Sequence, residues 1–96
     1  MSSLHPLFSV LIVNYNAGDL LKNAVDSLKN QTLRDFELIL LDNNSIEQPL
    51  TELDTDGLPS VRVLRENKNH GFARGNNIAA SCASGKWLVL LNPDAV

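Results

Sequence analysis

The chain has 96 residues, 44% of them hydrophobic and 20% charged, the composition of one small globular domain with a modest core. A net charge of −3, with the eight Lys and Arg scattered, excludes a general nucleic-acid binder, which needs a basic stripe. The lone Cys82 excludes an intrachain disulfide or a cysteine metal cluster.

The first apolar run, residues 7–13, is nearly all apolar and rich in β-branched side chains. It predicts a strand buried on both faces, as in a parallel sheet. Gly18-Asp19 marks a turn. Leu20, Leu21, Ala24, Val25 and Leu28 then recur at helical spacing, and the helix is expected to end near Asn30-Gln31. Residues 36–41 form the second predicted strand. Residues 45–60, with Pro49, Gly57 and Pro59, read as a loop holding one short helix around Leu50 and Leu53. Residues 61–64 are a short third strand. Gly71 opens a second helix in which Phe72, Asn76, Ala79, Ala80 and Ala83 share a face, and Ser84-Gly85 is expected to close it. Residues 87–91 are the fourth strand.

Strands alternating with helices predict an α/β fold: a Rossmann-like three-layer αβα arrangement with a mainly parallel sheet of about four strands. Each apolar run finishes on a cluster of Asn and Asp. These are Asn14-Tyr15-Asn16, Asp42-Asn43-Asn44, Glu66-Asn67-Lys68-Asn69 and Asn92-Pro93-Asp94. In a parallel sheet all four lie on the edge where open α/β sheets bind ligands.

The chemistry of that edge can be narrowed by what it lacks. A G-x-G-x-x-G after the first strand and a G-x-x-x-x-G-K-[ST] are both missing, which argues against a dinucleotide site or a P-loop. Tyr15 can stack on a planar base or simply cover the sheet edge. Asp42 can accept from a sugar hydroxyl or a base N–H, and Asn43 can both donate and accept; equally, the pair can open an Asx turn. Gly71 permits close backbone approach at a helix N-terminus that favours anions. Arg74 is either a fixed cation beside it or a solvated helical arginine. Asn92 and Asp94 supply oxygen donors of the kind Mg²⁺ or Mn²⁺ takes, although N-P-D in isolation is a common turn.

Taken in order, Val10-Leu11-Ile12-Val13-Asn14-Tyr15-Asn16, Leu38-Ile39-Leu40-Leu41-Asp42-Asn43-Asn44-Ser45, Asn69-x-Gly71-Phe72-Ala73-x-Gly75-Asn76-Asn77 and Gly85-Lys86-Trp87-Leu88-Val89-Leu90-Leu91-Asn92-Pro93-Asp94 are distinctive. The set resembles the nucleotide-binding half of a family 2 glycosyltransferase of GT-A fold, most closely the branch that includes rhamnosyltransferases. The resemblance covers roughly residues 7–96. It implies that Val13 and Tyr15 contact the nucleobase and that Asp42-Asn43 reads it, with Asn43 in place of the frequent second Asp. It implies that Asn92-Pro93-Asp94 stands for the family's Asp-x-Asp metal motif, with Asp94 as ligand to a Mg²⁺ or Mn²⁺ bridging the diphosphate. The activity implied is transfer of a sugar from a UDP or dTDP donor to a hydroxyl of a glycan or lipid-linked acceptor, with inversion.

The general base for that transfer is expected downstream. The chain therefore reads as a single partial domain, residues 1–96, that binds donor but does not turn it over alone. Two other readings of the topology are a non-catalytic nucleotide-binding module and a flavodoxin-like interaction domain. The N-terminus lacks the basic region of a signal peptide, and no apolar stretch is long enough to span a bilayer. A cytoplasmic location is expected, with peripheral contact at the inner membrane face open to the full-length protein. An uncovered fourth strand predicts a homodimer through the sheet edge.

Overall fold

The computed structural model describes residues 6–32, 34–43 and 55–91. The elements are β1 (Phe8–Asn14), α1 (Asp19–Lys29), β2 (Phe36–Asp42), β3 (Val61–Arg65), α2 (Phe72–Ser81) and β4 (Trp87–Leu90). They build one four-stranded, all-parallel sheet in the order β3-β2-β1-β4. The predicted short helix and most of the 45–60 loop lie outside the described residues, as does the fourth Asn/Asp cluster. Among the described residues no helix is long and apolar enough to cross a membrane.

Burial falls from the centre of the sheet outward. Every residue of β2 is buried, and β1 is buried from Ser9 onward. That explains their near-continuous apolar sequences, since both faces are covered. Alternation along the strands sorts the core into two layers. Val10, Ile12, Leu38 and Leu40 meet Leu21, Val25 and Leu28 of α1 on one face. Leu11, Val13, Ile39 and Leu41 meet Ala79 of α2 on the other. The helices therefore lie on opposite faces, giving the expected αβα sandwich. Each fully buried Leu or Ile contributes about 2 kcal/mol of transfer free energy.

Both helices use a narrower apolar stripe than the periodicity suggests. Leu20 is exposed because the seam follows Leu21, Val25 and Leu28, one position round the helix. Phe72 is exposed too, and α2 buries Gly75, Asn76 and Ala79 instead. The second helix also stops earlier than expected. Cys82 N–H and Ala83 N–H each bond three residues back, to the carbonyls of Ala79 and Ala80, which tightens the last turn. Ala83 and Ser84-Gly85 thus lie beyond the helix.

What holds that segment is a polar bracket at the N-terminal edge of the sheet. Ser9 and Glu37 are register partners at the starts of β1 and β2. The buried Glu37 carboxylate accepts from Ser9 Oγ (2.6 Å), Ser84 N–H (2.7 Å) and Ser84 Oγ (3.0 Å). Ser9 Oγ in turn accepts from Gly85 N–H at 2.7 Å. Burial pushes the Glu37 carboxyl up. The Ser9, Ser84 amide and Ser84 hydroxyl bonds, with the Arg62 charge, outweigh that and hold it below its ordinary value of 4.5.

Candidate donor-binding edge

β1, β2 and β3 end level with one another: Asn14 is paired with Asp42, and Asp42 with Arg65. The ladder continues one step further, through Asn43 N–H to Asn14 C=O (2.8 Å) and Glu66 N–H to Asp42 C=O (2.9 Å). The described residues of the first three Asn/Asp clusters therefore share one edge. Because β4 runs parallel to β1, the chain leaves it toward that same edge, with Leu91 N–H bonded to Leu11 C=O at 2.9 Å. Asn92 and Asp94 follow and lie outside the described residues. The order β3-β2-β1-β4 reverses direction at β1, and ligands of open α/β sheets bind at such a reversal.

Asn14 organises the centre of the edge. Its Nδ2 donates to Asp42 Oδ1 at 2.9 Å, and its Oδ1 accepts from Ala17 N–H at 3.3 Å. The second bond folds residues 14–17 into a tight turn, with Asn16 in the left-handed region at φ 52°. Tyr15, at the tip, is 45% exposed, so its ring is available to a planar partner. Val13 is buried against α2 and has little side-chain surface to offer. Asp42 is 7% exposed and bound to Asn14.

Asn43 is 1% exposed, and both ends of its amide engage the protein. Its Nδ2 donates to Gly71 C=O at 3.1 Å, and its Oδ1 accepts from His70 N–H at 3.4 Å. Gly71 sits at φ 82°, ψ 169°, a conformation open to glycine, and its N–H is held by Asn69 Oδ1 at 2.9 Å. Beneath it Gly75 lies so close to the sheet that a Cβ would stand 2.9 Å from Val13 Cγ1.

The start of α2 has neither a side-chain cap nor an acidic residue in its first turn, whereas α1 begins with Asp19. First-turn amides have no partner within a helix, and the helix dipole adds positive potential there. Arg74 is exposed on that turn. A bare, positive helix end beside an amide-rich strand edge is chemistry for an anionic, hydrogen-bonding ligand.

Three features of the edge are not among the expected site residues. Asn14 falls within a predicted cluster, but only the register reveals its role. His70 Nε2 lies 3.0 Å from Glu66 Oε1, and the i,i+4 spacing is the signal for that pair. Asn76, buried in α2, gives its Nδ2 to Phe72 C=O, while its Oδ1 has no hydrogen-bond partner among the described residues. No cluster of three or more His, Cys, Asp or Glu among the described residues could hold a metal ion.

The sequence pattern of glycosyl transferase family 2 matches residues 9–96. The chain belongs to that family. Among curated relatives it is 30% identical over 91 residues to a PGL/p-HBAD biosynthesis glycosyltransferase of Mycobacterium bovis, covering 93% of this chain and 36% of that protein. It is 29% identical over 92 residues to glycosyltransferase GlyG of Streptococcus pneumoniae, covering 94% of this chain and 31% of that one. The chain thus spans about a third of the length of such relatives.

Among solved structures, S. aureus TarS (residues 1–349) in complex with UDP-GlcNAc superposes with a TM-score of 0.82 at 25% identity, over 91% of this chain and 26% of that one. The mannosyltransferase PcManGT of Pyrobaculum calidifontis, in complex with GDP-Man and Mn²⁺, has a TM-score of 0.80 at 22% identity. It covers 98% of this chain and 29% of that one, a likeness of fold. The fold of this family 2 chain is therefore the Rossmann-like, all-parallel α/β arrangement that the elements predict.

Proposed function

We propose that this chain is the donor-binding part of a glycosyltransferase that moves a sugar from a nucleoside diphosphate to an acceptor hydroxyl. The observation that carries the reading is the juxtaposition of the Asn14–Asp42 strand edge with the uncapped start of α2, in a chain of family 2. TarS, with the same fold, was solved with UDP-GlcNAc, which supports a nucleotide-sugar donor. In this reading Tyr15 stacks on the base beside the end of Val13, and Asp42 accepts from a base N–H or ribose hydroxyl. The amides after Gly71, with Arg74, face the diphosphate.

Asp94, with Asn92, would hold a divalent Mg²⁺ or Mn²⁺. A carboxylate and an amide oxygen are hard donors, and diphosphate oxygens complete such a shell. When bound, the ion supplies charge neutralisation for the leaving diphosphate. This chain's own contribution is to orient the base and to place helix-end amides where negative charge develops. An inverting transfer also needs a carboxylate to take the acceptor's proton, and we assign none among the described residues.

Calorimetry with UDP and dTDP, with and without Mn²⁺, tests this. The protein is expected to bind one of them more tightly with metal, and Asp94→Ala to weaken that binding by about tenfold or more, equivalent to about 1.4 kcal/mol. Binding that is absent, or indifferent to metal in the unaltered protein, contradicts the reading.

We also propose self-association through β4. All four residues of β4 are exposed, including Trp87 at 55% and Leu90 at 61%. Trp87 and Leu91 N–H point to β1, so the alternate groups of Leu88 and Leu90 face outward, with no strand beside them among the described residues. Light scattering at micromolar concentration should give a dimer mass; a monomer mass contradicts this.

A further inference from the structure

We propose that Asn43 is a positioning residue that clasps the loop before α2 and so couples the nucleoside side of the donor site to its diphosphate side. The proposal rests on the donor-site reading above. Asn43 follows Asp42 directly, and its backbone N–H is fixed to Asn14 C=O at 2.8 Å. One end of it thus belongs to the Asn14–Asp42 pair that presents Tyr15. Its side chain reaches the other half of the edge, donating to Gly71 C=O and accepting from His70 N–H.

Gly71 C=O is also the first carbonyl of α2, since it accepts Gly75 N–H at 3.1 Å. Holding that oxygen fixes where the helix begins and which way the next amides point. Gly75 lets the helix close on the clasp, because a Cβ there would stand 3.1 Å from Asn43 Nδ2. The bond pattern needs an amide. A carboxylate at position 43 could accept from His70 but would face Gly71 C=O with no proton to give. The clasp therefore gives a physical reason for asparagine at this position of this chain.

The test uses the protein as its gene encodes it, with Asn43→Ala and Asn43→Asp. Hydrogen exchange on the ligand-free protein reads the clasp itself. Loss of a buried hydrogen bond should speed exchange of the bonded amides of residues 69–75, those of His70, Gly71 and Gly75, by about tenfold while β1 and β2 stay protected. Asn43→Asp, which retains the acceptor for His70, should spare the His70 amide relative to Asn43→Ala. It carries the same test if the alanine variant does not fold.

Calorimetry with UDP against uridine, and dTDP against thymidine, reads the coupling. The variants should lose about tenfold for the diphosphate and less than about twofold for the nucleoside. Equal losses for both would overturn the proposal, because Asn43 would then touch the base or act on the whole fold. Unchanged exchange at residues 69–75, with donor binding intact in the unaltered protein, overturns the clasp alone. Failure of the unaltered protein to bind any of the four ligands overturns the donor-site reading, and the coupling with it.

Discussion

Gly85→Ala is expected to destabilise the protein by about 3 kcal/mol, the upper part of the range for overpacking a closed site. A Cβ at residue 85 would lie 2.5 Å from Ser9 Oγ, 2.6 Å from Ser9 N and 2.7 Å from Phe8 C. Two of those three atoms are backbone of β1, the strand that pairs on both sides, with β2 and with β4. They cannot rotate aside as a long side chain would. The same intrusion displaces the Gly85 N–H from Ser9 Oγ and loosens the bracket on Glu37. In a domain of this size such a loss lowers Tm by about 12–24 °C. Differential scanning calorimetry measures it directly. A Tm within a degree or two of the unaltered protein would mean that the start of β1 is free to shift, contrary to its bonding.

Glu37→Gln is expected to cost about 2 kcal/mol near neutral pH, since a neutral amide oxygen replaces the charged Oε2 that accepts all three bonds. The pH dependence is more diagnostic than the size. The folded protein holds the Glu37 carboxyl below its ordinary 4.5. Its ionised form is therefore favoured by folding, and that stability is fully present above the unfolded value. It is lost as pH falls through the lowered folded value, where both states are protonated. Thermal unfolding of the two proteins should show a gap in Tm that is widest near neutrality and narrows below about pH 4.5. A gap that stays constant into acid would show that the charge on Glu37 is not what the bracket uses.

The contrast between legible and hidden features follows from how far each signal reaches along the chain. β1 and β2 could be read because burial on both faces leaves an unbroken apolar run, and their polar ends could be read because Asn14 and Asp42 break those runs abruptly. The bracket could not be read, because Ser9, Glu37 and Ser84 meet only through the sheet and no local pattern links them. For the same reason the local pattern extends α2 past its true end at Ser81. Ser84-Gly85 has the composition of a helix stop, yet the structure uses it to bind Glu37 and Ser9. Leu20 and Phe72 mislead because periodicity marks an apolar residue without saying whether a layer exists to cover it. Asn43 shows the limit within the site itself. Its capacity to donate and accept is evident from its type, but its partners, His70 and Gly71, are fixed only by the approach of α2.

The polar networks of this sheet sit at opposite ends of the same strands. From Ser9 to Asn14 is five residues, about 17 Å of extended chain. At that separation perturbations act independently and their energies add. The fold is thus anchored at one rim and furnished for ligand at the other. Given the proposed donor site, loops after the strands can be exchanged to alter which nucleoside is accepted without disturbing the Glu37 anchor. The architecture separates the freedom to acquire new specificity from the obligation to stay folded.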